Sequence, residues 1–284
     1  MDKETEFRNV RSAAVKLASL SDEERSAMLL KMAAAFENNK ERIFRANRED
    51  IGKAEKEGIS DALLHRLVLD EPKLVSSIEG VKSVAAQKCP VHEIKEKRLL
   101  DEGLVLEKVT FPLGVIGMVF EARPDALIQI VSLAIKSANG IILKGGKEAS
   151  STNSTLYEII RESLDGAGFM MLLSSHSDVD AMLKMEGYID LIIPRGSNKF
   201  VRYCMDNTHI PVMGHADGIC SVYVDSFADI GTAVNVCTDS KVQYPAACNA
   251  AETILVHKDV ADQFIPLFAS SLEQYGVTIH ADER

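Results

Sequence analysis

Gly114-Val115-Ile116-Gly117-Met118-Val119-Phe120 is an apolar run without a single charge, and Glu121-Ala122-Arg123-Pro124-Asp125 follows it at once. A strand with one wet face alternates apolar and polar residues; this run is apolar on both faces, as a strand in the middle of a covered parallel sheet must be. Working outward, the same texture returns at residues 141–144, 169–173 and 190–193. Between and after these runs lie helical patterns at residues 126–138, 152–164, 178–185 and 198–206. Short strands buried on both faces and joined by helices of ten or so residues predict an α/β fold, a doubly wound parallel sheet with right-handed crossovers.

Upstream, the first ninety residues are dominated by Ala, Leu, Met, Glu and Lys and read as a helical segment. Ser21-Asp22-Glu23-Glu24 has the form of a capping box, and Met28, Met32 and Phe36 line one stripe of the helix that follows it. Residues 40–57 and 71–88 predict two further helices. Residues 97–100 and 104–111, separated by Asp101-Glu102-Gly103, predict a hairpin. Downstream, residues 219–224 and 252–257 look like strands, and 227–237 and 259–275 like helices.

The chain has 284 residues, with 32 Lys and Arg against 42 Asp and Glu, a net charge of −10. That balance offers no broad positive surface for nucleic acid or an anionic membrane, so a small-molecule partner is expected, with no nucleic acid and no membrane. No apolar run reaches the ~18 residues of a spanning helix, and the charged start Met1-Asp2-Lys3-Glu4 has no apolar signal core. A cytoplasmic protein is expected. Five widely spaced cysteines and seven scattered histidines form no CxxC, CxxH or HExxH pattern, so no metal is expected.

In an open parallel sheet ligands bind beyond the carboxyl ends of the strands, which selects four segments. At Glu121-Ala122-Arg123-Pro124-Asp125, either Asp125 caps the next helix with Arg123 paired to Glu121, or Arg123 faces an anionic substrate. At Lys144-Gly145-Gly146-Lys147-Glu148, a strand ends in lysine and runs through two glycines towards a helix capped by Ser or Thr. Lys144 is either a solvated turn residue or a contact to a cofactor ribose or phosphate. At Pro194-Arg195-Gly196-Ser197-Asn198, Ser197 either caps its helix or joins the exposed N–H groups in holding phosphate. At Gln243-Tyr244-Pro245-Ala246-Ala247-Cys248-Asn249-Ala250, Cys248 is either a small buried hydrophobe or an accessible nucleophile among small neighbours.

These segments, in this order, resemble the NAD(P)-dependent aldehyde dehydrogenase superfamily. The resemblance also takes in Pro112 to Gly117, Gly214-His215-Ala216-Asp217-Gly218-Ile219-Cys220 and Tyr244 to Thr253. Within the superfamily they look most like the gamma-glutamyl phosphate reductase family, including the reductase half of delta-1-pyrroline-5-carboxylate synthase. The resemblance runs from about Phe7 to Gly276. It implies NADPH-dependent reduction of L-glutamyl 5-phosphate to L-glutamate 5-semialdehyde with release of phosphate, a step towards proline. On that basis Cys248 is the nucleophile and main-chain N–H groups near Cys248 and Asn249 receive the oxyanion. Lys144 and Gly146 lie on the adenosine ribose side of NADP, Gly196 and Ser197 hold its pyrophosphate, and Arg123 and His215 face the substrate.

Members that oxidise aldehydes to acids carry a water-activating glutamate before Leu-Gly-Gly. Residues 212–218, Val-Met-Gly-His-Ala-Asp-Gly, carry none, as suits a thioester that is to be reduced and not hydrolysed. The family pattern continues well past Arg284, so the resemblance implies a chain ending early in the catalytic domain, a homo-oligomer in full-length form, and an oligomerisation role for the hairpin. It implies two domains: residues 1–236, the NAD(P)-binding domain with the hairpin, and residues 237–284, the start of a second α/β domain, the catalytic one. Two other readings stand beside it: another acylating aldehyde dehydrogenase, and a nucleotide-binding chain without turnover.

Overall fold

The computed structural model describes residues 3–282 except 122, 197, 215–217, 246 and 248. The chain divides into two compact units, Met1–Ala216 and Asp217–Arg284. Position 236, where the sequence reading ends the cofactor domain, falls inside a helix of the second unit.

The first unit opens with five helices: α1 (Lys3–Ala18), α2 (Asp22–Asn38), α3 (Lys40–Lys56), the short α4 (Asp61–Leu67) and α5 (Glu71–Ala86). The capping box at α2 forms as the sequence predicts, with Glu24 N–H donating to Ser21 Oγ at 3.2 Å and Ser21 N–H donating to Glu24 Oε2 at 2.7 Å. Met32 and Phe36 are fully buried and Met28 packs beside them. The hairpin follows as β1 (Ile94–Asp101) and β2 (Leu104–Val109), antiparallel and turning at Gly103, whose φ of 76° a residue with a Cβ rarely adopts. It starts three residues earlier than the pattern suggested, because Glu93 and Thr110 pair through their backbones and draw Ile94 into register with Val109. Every residue of both strands is exposed.

The sheet is parallel and four-stranded, in the order β5-β4-β3-β6, with β3 (Val115–Val119), β4 (Gly140–Lys144), β5 (Met170–Leu173) and β6 (Leu191–Pro194). It is joined by α6 (Pro124–Lys136), α7 (Ser150–Ser163) and α8 (His176–Leu183), and α9 (Asn198–Asp206) follows β6. Side chains alternate across it. Ile141 and Leu143 join the core under α2, α5, α6 and α7, whereas Val115, Val119 and Ile142 join the core formed with α1 and α8. The sheet is therefore covered on both faces, the doubly wound arrangement that the apolar runs require.

The connections from β3 through β4 to β5 lead one way, and α8 then carries the chain back to the other side of β3. The strand order thus reverses at the carboxyl ends of β3 and β6, where a ligand crevice belongs in such sheets.

The second unit is a β-α-β-α segment: β7 (Cys220–Val224), α10 (Ile230–Val242), β8 (Ala251–Val256) and α11 (Lys258–Glu273), with β7 and β8 parallel. Its own core gathers Val224, Cys237, Val260, Phe264, Phe268 and Leu272. Asp229 caps α10 by accepting from Thr232 N–H at 2.8 Å, so this helix starts three residues later than the pattern at 227 suggested. Among the described residues no helix is long and apolar enough to cross a membrane.

Candidate active site

Three of the four segments meet at one edge of the first unit. Phe120 N–H donates to Lys144 O at 2.9 Å and Arg195 N–H donates to Val119 O at 2.7 Å, so the ends of β4, β3 and β6 are tied side by side. The residues that follow these strands, Glu121 to Asp125, Gly145 to Glu148 and Arg195 to Gly196, are held along one line by parallel pairing.

At the end of β4, Lys144 is only 7% exposed, which overturns the solvated-turn alternative. Its Nζ donates to Gly145 O at 2.5 Å, and burial holds the ammonium below its ordinary pKa while Glu148 pulls the other way. No carboxylate forms an ion pair with Lys144 among the described residues. A Cβ on Gly145 would run into Asn153 Nδ2, and one on Gly146 into the Glu148 carboxylate. Bare main chain is therefore what position 145 requires, whereas the Glu148 carboxylate at Gly146 is the end of a flexible side chain that can swing aside. Asn153 itself is buried, and its Oδ1 has no partner among the described residues.

The expected Ser or Thr cap on the next helix is absent. Ala149 occupies that position, and the first turn of α7 is capped from another helix. Asp50 of α3, 1% exposed, accepts from Ser151 N–H at 3.1 Å, from Thr152 N–H at 2.7 Å and from the Thr152 hydroxyl at 2.7 Å. Asn47, one turn earlier, donates to Leu67 O at 2.9 Å and accepts from Leu69 N–H at 2.8 Å. A buried carboxylate on a helix N-terminus satisfies orphan donors and complements the dipole at once. A local reading of residues 147–152 could not find it. The signal lies in α3, where Asn47 and Asp50 occupy the stripe that also buries Ile43, Ala46 and Ala54.

At the end of β3, Arg123 takes the N-cap position of α6 without a side-chain cap, and Asp125 lies inside the first turn. Here too the expected arrangement is corrected. Arg123 pairs with Asp125 at 3.5 Å, and among the described ion pairs it has none with Glu121, Pro124 opening the helix between Arg123 and Asp125. The Arg123 side chain is 60% exposed. Glu121 instead lies over the β6 turn: a Cβ on Gly196 would sit 2.9 Å from Glu121 Oε1. Ser197 lies outside the described residues, and so do His215 and Cys248.

In the second unit, turns closed by Ala247 N–H to Tyr244 O at 3.0 Å and Ala250 N–H to Ala247 O at 3.1 Å lead into β8, and Asn249 is exposed. The other thiols separate by environment. Burial pushes Cys204 up to about 11 and also raises Cys237, so neither is a nucleophile at neutral pH. Among the described residues no group of three His, Cys, Asp or Glu is placed to hold a metal.

A family model, the aldehyde dehydrogenase family, matches residues 2–284. The chain belongs to the aldehyde dehydrogenase family. It is 51% identical over 270 residues to gamma-glutamyl phosphate reductase of Prochlorococcus marinus, covering 92% of this chain and 62% of that protein. It is 50% identical over 279 residues to the protein of that name from Ruminiclostridium cellulolyticum, covering 97% and 65%. Among solved structures, gamma-glutamyl phosphate reductase from Thermotoga maritima superposes with a TM-score of 0.90 at 32% identity, covering 96% of this chain and 67% of that one. The Saccharomyces cerevisiae enzyme of that name gives 0.72 at 38%, covering 100% and 72%. The chain thus spans 62% to 66% of the length of curated relatives such as these. The aldehyde dehydrogenase family is one of nicotinamide-dependent enzymes, and the bare turns, the buried Lys144 and the orphaned Asn153 oxygen fit a nucleotide along this edge.

Proposed function

We propose that this chain carries the cofactor-binding unit and the nucleophile of a gamma-glutamyl phosphate reductase, reducing L-glutamyl 5-phosphate to L-glutamate 5-semialdehyde with release of phosphate, on the route to proline. The observation that carries the reading is identity of about half to reductases of that name, running through both units. The cofactor is NADP. Lys144 and Gly146 take its adenosine ribose side, and Gly196 and Ser197 take the pyrophosphate, where a glycine turn opens a helix whose positive end favours anions. When bound, the nicotinamide supplies the hydride.

Cys248, as thiolate, attacks the acyl carbon; the C–S bond forms, the C–O bond to phosphate breaks, and phosphate leaves. Main-chain N–H groups at Cys248 and Asn249 stabilise charge on the carbonyl oxygen. Arg123, exposed and fixed at a helix start, receives the phosphate or carboxylate of the substrate, and His215 faces it too. The location is cytoplasmic, which Cys89, Cys204 and Cys237, thiols outside any disulfide, support. The full-length protein is a homo-oligomer, and the fully exposed hairpin, with Leu99, Leu100, Leu104 and Leu106 bare, supports its use as the contact.

The test is the reverse reaction on the 284-residue chain: glutamate 5-semialdehyde, NADP and inorganic phosphate, followed by NADPH absorbance. Strictly phosphate-dependent reduction that disappears in Cys248→Ala is the expected result. A second reading is nucleotide binding without turnover. It predicts NADPH binding with no reduction, and Cys248→Ala without effect.

A further inference from the structure

Helices α5 and α6 leave an open groove of about 320 Å³ between them, with Ser76, Gly80, Gln129 and Leu133 exposed along its walls, that none of the roles above uses. Its walls carry Lys73, Ser76 and Gly80 from α5 and Asp125, Gln129 and Leu133 from α6. Lys136 at the end of α6 donates to Ala85 O at the end of α5, at 3.1 Å, so the two helices run in the same direction. Lys73 and Asp125, each near the start of its helix, therefore share one end of the groove, the end beside Arg123 and the carboxyl ends of the strands.

The charges at that end are unbalanced in a particular way. Lys73 Nζ is fixed by donating to His65 O at 3.0 Å and Val68 O at 2.8 Å, two neutral carbonyls, and it has no carboxylate among the described ion pairs. The Asp125 side chain is 18% exposed, and its partner, Arg123, stands 3.5 Å away at the limit of contact and 60% exposed. A half-buried carboxylate with one loose partner, lining the same end of the groove as a cation held only by carbonyls, is matched by a ligand that brings both an ammonium and a carboxylate. Ser77 and Ser132 spend their hydroxyls on Lys73 O and Ile128 O, which leaves Ser76 and Gln129 as the neutral polar groups of the wall. The volume lies in the range of small-molecule sites.

We propose that this groove receives the α-amino acid end of the substrate, with Asp125 accepting from its ammonium and Lys73, aided by Ser76, donating to its carboxylate. The inference rests on the reductase reading and adds to it how the enzyme tells an amino acid from a plain dicarboxylic monoacyl compound. Asp125 and Lys73 are specificity residues here and take no part in bond making.

The test is calorimetric titration of the 284-residue chain with L-glutamate and with glutarate, which keeps the carboxylates and lacks the ammonium. L-Glutamate is expected to bind about tenfold or more tightly than glutarate, as a half-buried charge pair allows. Asp125→Asn is expected to bring that ratio close to one while far-UV circular dichroism stays unchanged. Gly80→Leu supplies a second variant: nothing lies within 4 Å of a Cβ there, and the residue sits mid-helix, so leucine fills the groove without opposing the helix and both ligands are lost. Equal binding of the two ligands, absence of L-glutamate binding, or a ratio that survives Asp125→Asn would overturn the proposal. Phosphate-dependent turnover without the L-glutamate preference sinks the groove assignment alone; the preference without turnover sinks the reaction alone.

Discussion

The turn after β4 and the turn after β6 share one sequence form, a strand running through glycine into a helix, yet they are built in opposite ways. The β4 turn is set into the protein: Lys144 and Gly145 are buried, Asn153 lies against Gly145, and α7 is capped by Asp50 from a helix a hundred residues away in sequence. At the β6 turn Arg195 and Gly196 are exposed, and the near neighbours of Gly196 are the ends of two side chains, Glu121 and Phe200. A glycine motif therefore states what the backbone must do, and the surroundings decide how firmly it is held.

The hardest way to break the contrast is Asp50→Ala. It leaves two main-chain donors and the Thr152 hydroxyl without their acceptor in a buried place, each unmet group costing about 1–3 kcal/mol. A total loss of about 3 kcal/mol in urea unfolding is expected, since some donors will find water. Loss below 1 kcal/mol would mean that α7 and the β4 turn hold themselves in place.

This brace also marks where the sequence stops being legible. The strands, the crossovers and the capping box of α2 were readable because each is written in adjacent residues or in one period. The cap on α7 was not, because its acceptor belongs to α3 and a local motif search expects Ser or Thr beside Ala149. Likewise Lys144 is buried on an inner strand paired with β3 on one side and β5 on the other, and nothing in Lys-Gly-Gly-Lys distinguishes it from a wet turn. Among the described ion pairs Arg123 has Asp125 and not Glu121, a choice between two carboxylates at equal spacing that only three dimensions make.

Gly145→Ala sharpens the comparison from the side of space. Its Cβ meets the amide of Asn153, a short side chain already buried, so about 2 kcal/mol of overpacking is expected by chemical denaturation. Double substitution with Asn153→Ala should return most of it, because the contact under 3 Å is with that side chain, and Phe120 Cε2 at 3.3 Å needs only a slight shift.

Lys144→Met probes the same turn through charge. Burial disfavours the ammonium in the folded protein, so the folded chain releases this proton at lower pH than the unfolded chain, whose value is near 10.5. Below the folded value the charge is present in both states and its burial costs stability in full. As pH rises through the folded value towards 10.5 the unfolded chain holds more protons and stability rises. Urea unfolding from pH 7 to 10.5 should show that upward slope in the parent and its reduction in Lys144→Met. At pH 7 the variant should be more stable by about 1 kcal/mol, because a buried charge has been exchanged for an apolar chain of similar length. NADPH affinity should fall at the same time, which separates a binding lysine from a merely buried one.

Gly196→Ala should do the least to stability. The φ of Gly196 is not in the left-handed region, so alanine brings no backbone strain. The atom in its way, Glu121 Oε1 at 2.9 Å, is the free end of an exposed side chain that can rotate aside, and Phe200 Cδ1 at 3.3 Å needs to yield by a few tenths of an ångström. The expected change in unfolding free energy is within about 0.5 kcal/mol, as for surface substitutions generally. NADPH binding should nevertheless weaken severalfold, since a methyl group would stand where the main chain must meet the pyrophosphate. A stability loss equal to that of Gly145→Ala would erase the difference between the two turns. Unchanged stability together with unchanged NADPH affinity would keep the difference but remove the pyrophosphate from Gly196.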